Sequence, residues 1–149
     1  MNIQSIFSLD SILINIESKS KKNILELISE KLSLGNDKQK DQIFDALYER
    51  EKLGTTAFGQ GIAIPHARIS DIESPRLLFI KLANGIDFSA VDDKKVDIIF
   101  SLIVPNEKED YHIELLSKVA EVLDNTGVVL KIRESSNKQE IYTILENHL

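Results

Sequence analysis

Cysteine is absent from the 149-residue chain. That excludes disulfides, thiolate chemistry and cysteine-based metal sites, and it leaves histidine and carboxylates as the chemically capable groups. Long hydrophobic runs are also missing: the longest, Ile98 to Val104, is broken by Ser101 and stopped by Pro105. The amino terminus has no basic region followed by an apolar stretch, so neither a signal peptide nor a membrane span is expected and the protein should be cytoplasmic. Basic residues are outnumbered by acidic ones, 18 to 24. A formal charge of −6 argues against a nucleic-acid binder, which needs a concentrated basic face. An acidic surface suits a basic partner, although moderate negative charge is also the ordinary route to solubility. No Pro/Gly/Ser-rich linker, internal repeat or low-complexity tract divides the chain, so one compact domain over 1–149 is expected, long enough to bury a core.

What is present reads as interleaved strands and helices. Ser11–Ile16 is β-branched and partly alternating, which predicts a short strand. Ser20 can cap a helix with apolar positions Ile24, Leu25, Leu27, Ile28 and Leu32, which Gly35 is placed to end. A second helix spans about Asp37 to Leu53 and buries Ile43, Phe44, Leu47 and Tyr48, with Gly54 just beyond and Arg50 in its last turn. Two strands follow, Leu77–Leu82 and Val96–Val104, the second apolar enough to be central. Tyr111–Leu123 is a helix with Ile113, Leu116, Val119, Ala120 and Leu123 on one face and His112 near its start. Val128–Ile132 is β-branched but flanked by charge and is read as a short helix. Ser136 with Gln139 resembles a capping box that opens a last helix through Tyr142 and Leu145. The sum is an α/β fold, a mixed sheet flanked by helices.

Glycine crowds between Gly54 and Gly61. Gly54–Gly59 has the opening spacing of a Walker A loop, but Gln60 and Gly61 stand where that loop needs Lys and Ser/Thr. The dinucleotide fingerprint fails as well, since Ile64 stands where a third small residue is wanted. The segment instead reads as an open loop feeding a very short strand, Ile62–Ile64, which Pro65 ends by removing a backbone donor. Ile62 and Ile64 then share one face and anchor the segment, while His66 emerges immediately beyond the last strand hydrogen bond. A neutral imidazole held by one nitrogen is a good nucleophile and phosphoryl acceptor at pH 7. The amides of Gly59 and Gly61 are bare enough to approach phosphoryl oxygens.

Arg50-Glu51-Lys52-Leu53-Gly54-Thr55-Thr56 through Gly61-Ile62-Ala63-Ile64-Pro65-His66 closely resembles the enzyme IIA proteins of the mannitol/fructose class of the bacterial phosphoenolpyruvate-dependent phosphotransferase system. The similarity is greatest to their stand-alone, nitrogen-related branch (EIIA-Ntr). Gly-Ile-Ala-Ile-Pro-His is the specific part; elsewhere the likeness is one of pattern, and it departs at Ala57 and Phe58, where a glycine and a small or branched apolar residue are common. The resemblance implies a mannitol-type enzyme IIA fold in a single type-2 domain. It also implies that His66 is phosphorylated on the ring nitrogen farther from the backbone by a small histidine phosphocarrier of the HPr or NPr kind. On the same grounds His112 lies beside His66 and Arg50 adds positive charge. Thr56 has two readings, a phosphoryl contact or a turn bonded to backbone. His148 reads as an exposed tail residue.

Zinc competes for two histidines brought together, but a catalytic site usually needs three protein ligands and no His-x-x-x-His spacing occurs. A serine hydrolase lacks its Gly-x-Ser-x-Gly elbow. No metal, nucleotide or other cofactor is expected, because the carrier supplies the activated phosphoryl group. Two roles follow for such a carrier: a regulatory module whose phosphorylation changes the target proteins it binds, or an enzyme IIA that feeds a fructose- or mannitol-type permease through its enzyme IIB.

Overall fold

The computed structural model describes residues 3–107 and 109–149. Strand β1 spans Ile12–Ile16. Ser20 then accepts the Asn23 N–H at 3.1 Å and starts helix α1, Lys21–Leu32, because a side-chain oxygen meets one of the donors that a first turn leaves unpaired. Asn36 does the same for α2, Asp37–Leu53, accepting the Gln39 N–H at 3.0 Å. α1 stops at Leu32, short of the predicted glycine, and the chain turns through Leu34 and Gly35 at φ +52° and +85°.

The region from Gly54 to Gly61 is more ordered than a loop. It folds as a hairpin of β2, Ala57–Gly59, and β3, Ile62–Ala63, and both turn residues, Gln60 and Gly61, have positive φ, as a two-residue hairpin turn of the primed kind requires. β4 (His66–Ile69), β5 (Arg76–Ile86) and β6 (Val96–Pro105) complete the strands. Helices α3 (Glu109–Asp124), α4 (Thr126–Glu134) and α5 (Lys138–His148) follow.

Among the described residues the sheet has six strands in the order β1-β5-β6-β3-β2, with β4 also on β6. β5 and β6 run antiparallel, whereas β1 on β5 and β3 and β4 on β6 are parallel. Side chains alternate across the pleat, so each face has its own core. Leu77, Phe79, Ile98, Phe100 and Leu102 pack under α3, α4 and α5. Leu78, Ile80, Ile99 and Ile103 pack under α1 and α2. The result is a helix–sheet–helix sandwich with β6 in the middle, as its apolar run predicts. No described helix is long and apolar enough to cross a membrane.

Three details depart from expectation. Tyr48 is 42 % exposed and stacks on Phe44, which packs half-buried against the core that Ile43 and Leu47 enter. α3 buries His112, Leu115, Val119, Val122 and Leu123 and leaves Ile113 61 % exposed; Val119 and Leu123 of the predicted face lie in the core with Leu116 and Ala120 packed against it, and packing on the sheet takes Leu115 in place of Ile113. α5 is capped by Asn137, whose side chain accepts from Gln139 and Glu140, one residue later than the predicted Ser136. The segment 128–132 lies within α4, as read.

Candidate functional site

β3 and β4 follow one register against β6: Ile62 lies opposite Ile98, Ala63 opposite Ile99, and His66 opposite Leu102. They are two parts of a single strand, interrupted where Pro65 has no N–H to give the ladder. His66 therefore opens β4 within the sheet; it does not stand beyond the last strand bond. Pro65 O receives the Leu102 N–H at 3.1 Å, so that carbonyl faces β6. Carbonyls alternate along a strand, and Ile64 O faces the other way. On that side the neighbouring chain leaves the sheet once Thr56 O has taken the Ile64 N–H at 3.1 Å.

Ile64 O is thus available to the side chain two residues on, and His66 Nδ1 lies 2.8 Å from it. A carbonyl can only accept, so Nδ1 carries the hydrogen and Nε2 keeps its lone pair. The tautomer is fixed by a backbone carbonyl that is left over where the β2 side of the sheet ends.

The outer side of β4 borders a cleft of about 460 Å³ between α2 and α3. His66 lines it with Arg50 from α2 and His112 from α3; Leu53, Ile113 and Leu116 make much of its wall apolar. Arg50 Nη1 donates to Gly54 O at 2.8 Å, which closes the α2 C-terminus and offsets the negative end of its dipole. His112 is 5 % exposed and its ring meets that of Tyr111 edge-on. Burial pushes the His66 pKa below the ordinary imidazole value of 6.5; the bond to Ile64 opposes that shift, the Arg50 charge adds to it and Glu51 opposes it. The imidazole is accordingly neutral at pH 7, as a nucleophile must be.

A titration tests this directly. The His66 ring protons, followed by NMR, should give a midpoint below 6.5, and Arg50→Gln should raise that midpoint by removing a repelling charge. A depressed histidine binds its proton more readily when unfolded, so its contribution to stability is present above pH 6.5 and is lost as the pH falls through the folded value. A midpoint at or above 6.5 would contradict the burial argument.

Of the predicted site residues, His66, His112 and Arg50 come together; Thr56, Gly59 and Gly61 do not line the cleft. The Thr56 hydroxyl and N–H both donate to the buried Glu51 carboxylate, which also binds Lys21 Nζ at 2.7 Å. Gly61 faces Arg133, which donates to Gln60 O at 2.6 Å and to Asp97 Oδ1 at 2.8 Å. Gly59 faces Asp92, whose Oδ2 receives the Gln60 N–H. His148 is exposed at the end of α5.

Arg68 and Glu49 also line the cleft and were not anticipated. Arg68 is two residues beyond His66, and strand alternation would have paired them on one face. Ending the strand at Pro65 hid that signal.

Comparison with known proteins places the fold and the sequence in a family. Residues 5–148 match a family model described as the phosphoenolpyruvate-dependent sugar phosphotransferase system, EIIA 2. The chain is 36 % identical over 146 residues to a nitrogen regulatory protein of Pseudomonas aeruginosa, covering 97 % of this chain and 95 % of that one. It superposes on the crystal structure of the nitrogen regulatory protein IIA-Ntr of Neisseria meningitidis with a TM-score of 0.90 at 34 % identity, covering 96 % and 98 % of the two chains. Mannitol enzyme IIA of Escherichia coli, solved in complex with phosphorylated mannitol enzyme IIB, shares the fold at a TM-score of 0.80 and 19 % identity, covering 95 % and 97 %.

Proposed function

The chain belongs to the EIIA type 2 family of the phosphoenolpyruvate-dependent sugar phosphotransferase system, and from that premise we propose that it carries a phosphoryl group on Nε2 of His66, received from a histidine phosphocarrier of the HPr or NPr kind. The observation that carries this reading is the Nδ1–H bond to Ile64 O, which leaves Nε2 as the nucleophile in a cleft shared with His112 and Arg50. Nε2 attacks phosphorus in line with the carrier's P–N bond. That bond breaks as the new one forms, its electron pair returning to the carrier's imidazole nitrogen, and the Nδ1 proton stays on Nδ1, donated to Ile64 O. Arg50 and His112 stand where charge on the phosphoryl oxygens needs to be met. The protein's part is positioning and electrostatics, which suits a reaction whose energy comes from the donor.

The likeness to nitrogen regulatory proteins supports a regulatory use of the phosphorylated state, in which added charge at the cleft changes the partner bound. The apolar rim of Leu53, 86 % exposed, and Ile113, 61 % exposed, supports a protein surface as the thing that docks there. The test is incubation with phosphoenolpyruvate, enzyme I and carrier. An acid-labile label is expected on the wild type and none on His66→Ala; no label on the wild type, or a label that survives the substitution, overturns the proposal. Ready passage of the label to a sugar-specific enzyme IIB would assign the transport role in place of the regulatory one.

A further inference from the structure

Central strand β6 has a hydroxyl in the middle of its apolar run. Ser101 has 0 % exposure and, by alternation, lies on the face of Ile99 and Ile103, which pack under α1 and α2. A hydroxyl is costly to bury unless bonded, and Ser101 Oγ donates to Pro65 O at 2.8 Å. That carbonyl already receives the Leu102 N–H at 3.1 Å. Two donors from successive residues of β6 therefore converge on the carbonyl at the break between β3 and β4, where the ladder is weakest because proline has no N–H.

The peptide held in this way joins Pro65 to His66. Its orientation fixes where the His66 Cα–Cβ bond points, and the imidazole must then reach back to Ile64 O. A small rotation of that peptide would lengthen the Nδ1–H bond, release the ring and admit the other tautomer.

We propose that Ser101 is a positioning residue for His66: its hydroxyl clamps the Pro65–His66 peptide so that Nδ1–H stays on Ile64 O and Nε2 faces the cleft. The proposal deepens, and its kinetic half rests on, the reading of His66 as phosphoryl acceptor. A purely structural hydroxyl would affect stability alone.

Ser101→Ala removes the second donor while Pro65 O keeps the Leu102 N–H, so the fold should persist. Nitrogen-15 NMR of the imidazole should show wild-type His66 almost wholly as the Nδ1–H tautomer and the variant as a mixture. Phosphoryl acceptance from the carrier should slow about five-fold, the effect of losing one neutral hydrogen bond that orients the nucleophile. Ile103→Val, which removes a methylene from the same face, serves as the control for lost packing and should leave both the tautomer and the rate unchanged. A wild-type tautomer in Ser101→Ala, or an equal slowing in Ile103→Val, overturns the proposal. If wild-type protein takes no label at all, the acceptor reading fails, while the NMR comparison still decides for or against the clamp.

Discussion

Replacing Gly61 by alanine should destabilise the protein by about 3 kcal/mol, roughly 10 °C of melting temperature for a chain of this length. Two costs add. At φ +79° an L side chain is strained, by about 1 kcal/mol or a little more. The new Cβ would also lie 2.6 Å from Arg133 Nη2 and 2.9 Å from Asp97 Oδ1, so the guanidinium would have to give up Gln60 O, Asp97 or both. That pair is one-third exposed on each side, and solvent reduces its contribution to about 1–2 kcal/mol. Gly35→Ala supplies the comparison: its φ is +85° but a Cβ there meets nothing within 4 Å, so only strain remains, about 1 kcal/mol. Urea unfolding of both variants should show Gly61→Ala losing two to three times as much. Equal losses would mean that the Arg133 latch contributes nothing.

The same latch marks the limit of what the sequence discloses. Gly59 and Gly61 read naturally as bare amides for phosphoryl oxygens, because local composition cannot show that Arg133, 73 residues away, reaches Gln60 O. Local signals did serve where local physics decides. The Asp37–Leu53 helix has its bounds written in Asn36 and Gly54, and the apolar run of β6 admits only a central strand. Where two solutions are locally equivalent, tertiary packing chose: Leu115 over Ile113 on α3, Asn137 over Ser136 as cap, strand over loop at Ala57–Gly59. The site divides in the same way. His66 was visible through its own motif. His112 and Arg50 lie on α3 and α2 and share a cleft with it only because β4, α2 and α3 meet at one edge of the sheet; their grouping came from family likeness, since spacing alone contains no trace of it.

Glu51→Met should be the most damaging single change near the site, costing about 4 kcal/mol. The Glu51 side chain is 4 % exposed and is the common acceptor for three donors: Lys21 Nζ at 2.7 Å, the Thr56 N–H at 3.2 Å, and the Thr56 hydroxyl. Methionine fills a similar volume but accepts from none of them, leaving a buried N–H and a buried hydroxyl unmet and a largely covered ammonium without its carboxylate. Lys21→Met should cost about 2 kcal/mol, because Glu51 keeps both Thr56 donors and water can replace an ammonium whose side chain is 24 % exposed. The double variant should fall short of the sum, since the two share one interaction. The loss also reaches the candidate acceptor. Thr56 O holds the Ile64 N–H at 3.1 Å, and Ile64 O in turn holds the His66 ring. A mispositioned Thr56 therefore loosens the strand at the residue that fixes the tautomer, and folded Glu51→Met should accept phosphoryl groups more slowly than folded Lys21→Met. Equal stability losses in the two single variants would show that the ion pair, and not the anchoring of Thr56, is what Glu51 provides.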